Sequence, residues 1–280
     1  MKSENGKSVC VIGYNSSRLM QEEARMRFQE FGSKELQAVL LLQPMGLGPD
    51  AFDLVVPILS QSYHLIVPTI PGLDPKEPGQ DFTSIEEIAA NIEDWGCEHG
   101  GSHVKGIYGC SMGGAIAIRL LSDRRISADV WIIDGGITPY QIWKPLTYLI
   151  GIRDFLMIWT AKHMSLKSLR EVMNPDKYTE KDIAYVKDCL RGMSNRTIWR
   201  GFYQTNNYNV ALPIQKPAGK VFYWYGEEEK KDRRWDLAYI RKNLPWARIQ
   251  ENAGMGHGES FTLFPDRFCE MFVACCRVDE

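Results

Sequence analysis

Short apolar runs alternating with helical stretches constrain this chain more than any other feature. Val39 to Leu42, His64 to Pro68, Val104 to Tyr108, Val130 to Ile133, Val221 to Tyr225 and about Ala247 to Glu251 read as strands, and Met26 to Phe31 as an edge strand before the turn Gly32-Ser33-Lys34. Between them, Ala51 to Leu59 has helical periodicity, and Ile85, Ile88, Ala89, Ile92 and Trp95 fall on one helical face. Thr83-Ser84-Ile85-Glu86 has the spacing of a capping box with Thr83 as N-cap, and Gly100-Gly101 closes that helix. Ala115, Ile116, Ile118, Leu120 and Leu121 mark a further helix. Near-continuous apolar strands separated by helices imply a parallel sheet covered on both faces.

The alternation breaks between Ile137 and about Lys216, which holds helical stretches, no convincing strand and a high density of Trp, Tyr, Phe and Met. The chain thus reads as a core of residues 1–136 and 217–280 carrying a helical insertion, 137–216. The insertion leaves the sheet at the C-terminal end of a strand, the edge where open α/β sheets bind ligands. It is expected to act as a lid, with Tyr140, Trp143, Trp159, Trp199 and Tyr203 as walls of an apolar pocket.

Charge narrows the partners. With 33 Lys and Arg against 35 Asp and Glu, the 280 residues carry a formal charge of −2, which gives no electrostatic case for nucleic acid or an anionic membrane. Seven cysteines, at 10, 97, 110, 189, 269, 275 and 276, form no C-x-x-C pair, so free thiols in a reducing compartment are expected. Met1 to Ser8 is polar, without the apolar run of a signal peptide, and no stretch reads as a membrane span. These features point to a cytoplasmic protein with a small-molecule partner.

One strand runs straight into Gly109-Cys110-Ser111-Met112-Gly113-Gly114 and then into a helix. G-x-S-x-G between a strand and a helix forces a sharp turn that exposes the serine oxygen at the helix N-terminus. Small neighbours let strand and helix pass closely, and the N–H after the serine, here of Met112, points at a developing oxyanion. His257, in Gly254-Met255-Gly256-His257-Gly258 after the last strand, is the candidate general base; serine before histidine is the chain order of strand-turn-helix hydrolases. A carboxylate must orient that histidine. Glu229, in the acidic run after Gly226, is the first choice, and Asp134, at the end of the Val130 strand, is the rival. His99 and His103 sit four apart in a loop rather than on a helix face, and Gly46-x-Gly48 lacks the rest of a phosphate loop, so neither a metal nor a cofactor is expected.

These residues resemble the α/β-hydrolase superfamily across nearly the whole chain. Pro49-Asp50-Ala51-Phe52, Tyr63-His64-Leu65-Ile66-Val67-Pro68 and Trp224-Tyr225-Gly226-Glu227 look like a branch common in Gram-positive bacteria. The resemblance implies a mostly parallel, eight-stranded sheet flanked by helices, with a helical cap inserted after the sixth strand. It also implies that Glu229 stands where members carry the triad acid. Members usually read His-Gly-x after the third strand; here Gln43-Pro44-Met45 stands there, which makes the N–H of Met45 the second oxyanion donor beside Met112. The activity implied is that of a serine esterase acting on a small or medium ester with an apolar part. The same triad serves amide, peptide or C–C hydrolysis and acyl transfer elsewhere in the fold, and a non-catalytic ligand-binding protein is the remaining alternative.

Overall fold

The computed structural model describes residues 26–77, 79–140 and 142–277. Cys10 and the polar Met1–Ser8 segment lie outside them. Seven strands form one sheet in the order β1-β3-β2-β4-β5-β6-β7. They are β1 (Arg27–Phe31), β2 (Ala38–Leu42), β3 (His64–Thr69), β4 (His103–Cys110), β5 (Ser127–Asp134), β6 (Lys220–Gly226) and β7 (Arg248–Asn252). Every strand read from the sequence is present. Only β1 is antiparallel, pairing with β3; the other ladders are parallel. The resemblance implies eight strands, and the described residues contain seven.

Alternation along each strand feeds two cores. Leu40 and Leu42 of β2 join the cluster under helices α1 (Ile85–Glu98) and α2 (Met112–Asp123), whereas Val39 and Leu41 join the opposite cluster with Phe268 and Phe272. The last two residues belong to α8 (Pro265–Cys276), the helix that covers the second face. A further core helix, α7 (Arg234–Asn243), lies between β6 and β7, and a single helical turn, Glu259–Thr262, precedes α8.

Two local expectations shift. The N-cap of α1 is Ser84, whose side chain accepts from the N–H of Glu87, while the hydroxyl of the expected cap Thr83 is buried without a partner. Either hydroxyl suits a cap, and backbone geometry selects between neighbours. The stretch 51–59 is not one helix but a 3-10 turn, Pro49–Phe52, and a short α-turn, Val56–Leu59. Pro57 stands at the start of the second piece, where its missing N–H costs nothing.

Between β5 and β6 the described residues form α3 (Lys144–His163), α4 (Leu166–Val172), α5 (Glu180–Gly192) and α6 (Asn195–Asn207), and no strand. Side-chain caps from Ser165, Thr179 and Ser194 start the last three. Lys187 of α5 is buried and its ammonium bonds the C-terminal carbonyls of α3, including Lys162 O at 2.7 Å.

Candidate active site

Strands β4 and β5 end level with one another, Cys110 pairing with Asp134, and β6 runs two residues past Trp224, the partner of Asp134. Ser111 follows β4 with φ 54° and ψ −112° and caps α2. Such left-handed backbone costs a non-glycine residue roughly 1–3 kcal/mol and persists only where its surroundings fix it. Here the Ser111 N–H donates to Asp134 O at 2.9 Å, and its carbonyl accepts from Ile137 N at 3.2 Å and Ala115 N at 3.1 Å. The flanking glycines are required by close approach. A Cβ on Gly109 would lie 2.2 Å from Gly113 O, and one on Gly113 would lie 2.1 Å from Leu42 O. The N–H of Met112 belongs to the first turn of α2, where no helical acceptor exists.

Glu229 closes the 3-10 turn after β6 and is buried. Its Oε1 accepts from Gly226 N at 2.9 Å, and its Oε2 lies 2.6 Å from His257 Nδ1. The carboxylate is the acceptor, so Nδ1 carries the proton and Nε2 is left for the cavity. Arg233 Nε stands 3.4 Å from the same oxygen, without hydrogen-bond geometry, while its Nη1 donates to Gly135 O at 3.1 Å. Burial pushes the Glu229 carboxyl up, but the His257 bond and charge, the Gly226 N–H and the Arg233 cation outweigh it, and the pKa is lowered. Gly135 lies beneath the imidazole, where a Cβ would come within 2.8 Å of Nδ1.

The acidic run divides its labour. Glu227 accepts from Gly254 N at 2.9 Å, Glu228 pairs with Lys177 at 2.6 Å and Glu229 holds the histidine. Lys177 also reaches buried Glu259, whose Oε2 accepts from Gly256 N at 2.7 Å and whose Oε1 accepts from Tyr178 OH at 3.1 Å. Two residues of the insertion thereby grip the loop that carries His257.

Asp134 is separate from the histidine. Buried at the end of β5, it accepts from Tyr108 OH at 2.7 Å and Ser260 Oγ at 2.6 Å. Burial pushes its carboxyl up, and these bonds offset only part of that rise.

Ser111 and His257 line one cavity of about 540 Å³, without a hydrogen bond between them. Pro44, Met45 and Leu47 supply one wall, and Met173, Tyr185 and Val186 from the insertion another. Gln43, in the position of the expected histidine, is fully buried, with no protein partner for either amide atom. The side chain of Met45 packs on α6, where a Cβ on Gly201 would meet its Cε.

None of the five expected aromatic walls borders this cavity. Trp199 and Tyr203 stack on one another at 5.4 Å and pack against Tyr148 and Gly151 of α3. Trp159 lies over His163, and Trp143 is 77% exposed. Tyr140 borders a different cavity, which Tyr203 also touches. Aromatic density marked the insertion but not the face each ring presents. Met173, Tyr185 and Val186 carried no signal of their own, because their role depends on how the end of α4 and the helix α5 settle over Ser111. Among the described residues no cluster of His, Cys, Asp or Glu could hold a metal ion, and the six described cysteines are free.

Neither a protein-family model nor a curated protein matches the sequence. Solved structures do resemble this one. A protein assigned to the alpha/beta hydrolase family from Desulfitobacterium hafniense has a TM-score of 0.70 at 17% identity, covering 90% of this chain and 100% of its own. A bromoperoxidase from Bacillus anthracis has a TM-score of 0.72 at 14% identity over 89% and 94% of the two chains. A thermophilic esterase from Thermogutta terrifontis has a TM-score of 0.66 at 15% identity over 89% and 92%. The fold is that of the α/β-hydrolases. No helix among the described residues is long and apolar enough to cross a membrane.

Proposed function

We propose that this protein is a serine hydrolase of the esterase type, with Ser111 as nucleophile, His257 as general base and Glu229 as the acid of its triad. The observation that carries the reading is the 2.6 Å contact of Glu229 Oε2 with His257 Nδ1, on an imidazole that shares a cavity with the strained Ser111. In the proposed cycle His257 Nε2 takes the Ser111 proton as Oγ attacks the ester carbonyl. The N–H groups of Met45 and Met112 hold the tetrahedral oxyanion. Protonated His257 then releases the alcohol, and the same base activates water to free the acid. Glu229 stays ionised throughout and stabilises the imidazolium.

The substrate is a small or medium carboxylic ester with an apolar part. Pro44, Met45, Leu47, Met173 and Val186 support that choice, because such side chains bind hydrocarbon, while Asp50, Asp53, Lys181 and Asp182 border the same cavity and leave room for a polar group. Residues 137–216 serve as the cap, through Met173 to Val186 rather than through the aromatic cluster. The thermophilic esterase among the similar structures agrees with this chemistry.

The test is labelling with a fluorophosphonate, followed by hydrolysis of p-nitrophenyl esters of graded chain length. Wild type should label at Ser111 and turn over short and medium esters. Folded Ser111→Ala should do neither, with turnover lower by about 10⁶-fold. Wild-type turnover in that variant would refute the assignment.

A further inference from the structure

The loop that carries His257 is rich in glycine. Gly254-Met255-Gly256-His257-Gly258 holds three, of which Gly254 and Gly258 stand at φ 71° and 72°. Such residues let the chain turn sharply and leave its path to be fixed from outside. Three glutamates fix it. Glu227 Oε2 accepts from Gly254 N at 2.9 Å, Glu228 N donates to Met255 O at 3.1 Å, and Glu259 Oε2 accepts from Gly256 N at 2.7 Å. The first two belong to the turn Glu227–Glu229 that carries the triad acid, and the third follows His257 by two residues. Acid turn and histidine loop also touch, because a Cβ on Gly226 would lie 2.3 Å from Met255 O.

A single ammonium from the insertion joins the two. Lys177 Nζ lies 2.6 Å from Glu228 Oε2 in the acid turn and 3.1 Å from Glu259 Oε2 beside the histidine loop. Glu259 Oε1 accepts from Tyr178 OH at 3.1 Å and from Lys177 Nζ at 3.2 Å. Glu259 is buried, so its charge needs these partners. Glu228 is exposed, and an ion pair with an exposed partner contributes little to stability. What the arrangement supplies is geometry. Without the ammonium, two carboxylates would face the gap that it fills and repel each other. Tyr178, the next residue, also borders the Ser111 cavity.

We infer that Lys177 is a positioning residue for His257, a role that rests on the triad proposed above. By tying the acid turn to the histidine loop, it keeps His257 Nδ1 on Glu229 Oε2 and Nε2 toward the cavity. Lys177 acts through Glu228 and Glu259 and takes no part in the bond changes at Ser111. A displacement of about 1 Å at a catalytic group costs on the order of 10²-fold in rate, which sets the size of the expected effect.

The experiment uses the full chain with isotope-labelled histidine nitrogens in mildly alkaline buffer. NMR shifts of the ring nitrogens tell which nitrogen of His257 carries the proton, and His257→Gln identifies its signals among the five histidines. Kinetics on a p-nitrophenyl ester give kcat and KM. Wild type should hold the proton on Nδ1, the tautomer that the Glu229 bond fixes. Lys177→Met should let it pass to Nε2 in a large share of molecules and lower kcat by about 10²-fold, with KM changed far less. Lys177→Arg keeps the charge and spans both carboxylates, so it should restore both readings. Adding Glu228→Gln to Lys177→Met should cost nothing more, because the two groups act as one tie. Circular dichroism and thermal melting establish that each variant is folded. The wild-type tautomer in folded Lys177→Met would overturn the proposal whatever its kcat, and leave Lys177 a staple between insertion and core. Unchanged kcat in that variant of an active enzyme, additive losses in the double variant, or a wild type with its proton on Nε2 would overturn it as well. If wild type turns over no ester while the tautomer shifts in Lys177→Met and returns in Lys177→Arg, the esterase reading fails and the positioning role stands.

Discussion

Glu229 reaches His257 from the end of β6, while Asp134, one strand away and equally buried, is turned to Tyr108 and Ser260. The two carboxylates stand close enough to interact electrostatically, yet only one is bonded to the imidazole. The difference lies in the turn after each strand. After β6 a 3-10 turn folds Glu229 back onto its own Gly226 N–H, aiming the second oxygen at the histidine loop.

Replacing Glu229 by Gln should therefore lower kcat by about 10⁴-fold, the scale expected when a triad acid loses its charge and the imidazole its tautomer. Asp134→Asn should keep most turnover, because its partners are a tyrosine and a serine. Steady-state kinetics on a p-nitrophenyl ester decides between them. Comparable losses in both variants would remove the distinction.

The two acids should also respond to pH with opposite sign. The folded pKa of Glu229 lies below its unfolded value, so its carboxylate stabilises the fold above the ordinary glutamate range of about 4.3 and loses that contribution as pH falls through the folded value. The folded pKa of Asp134 is raised, so its carboxylate costs stability above that raised value and the cost is relieved as pH falls. Urea unfolding should show wild type losing its advantage over Glu229→Gln only in acid. Over the same acid range wild type should gain relative to Asp134→Asn.

Gly113→Ala should fail to fold or melt several degrees lower, since the new methyl would sit 2.1 Å from the Leu42 carbonyl, a backbone atom with nowhere to go. Gly101→Ala is the control, because there a Cβ meets only ordinary contacts at 3.6 Å. Thermal melts of both proteins check this, and equal melting temperatures would contradict it.

Trimming the cavity wall should change substrate preference without much loss of stability. Met173→Ala and Val186→Ala are expected to move the preferred ester toward longer chains. Trp199→Ala should do the reverse, lowering the melting temperature through the lost stack with Tyr203 while leaving chain-length preference alone. A screen over graded esters, run beside melting curves, separates the two effects.

The strand–helix alternation, the sharp turn at Ser111 and the run of helices between β5 and β6 were legible in the sequence because each is written in local terms. Apolar periodicity reports burial, and two glycines spaced around a serine report a turn in which backbones touch. The choice of Glu229 over Asp134 was open at that level, since both follow strands and both suit the chemistry. Only the path of the chain after β6 placed one oxygen on the imidazole. The cavity wall was further from reach. Side chains on α3 and α6 that look like pocket walls instead pack on each other or face outward, and less conspicuous residues from Met173 to Val186 face Ser111. A helix has several faces, and its periodicity shows that one is apolar without showing what lies opposite. That is fixed by contacts between residues far apart in the chain, such as Lys177 with Glu228 and Glu259, whose partners no local pattern identifies.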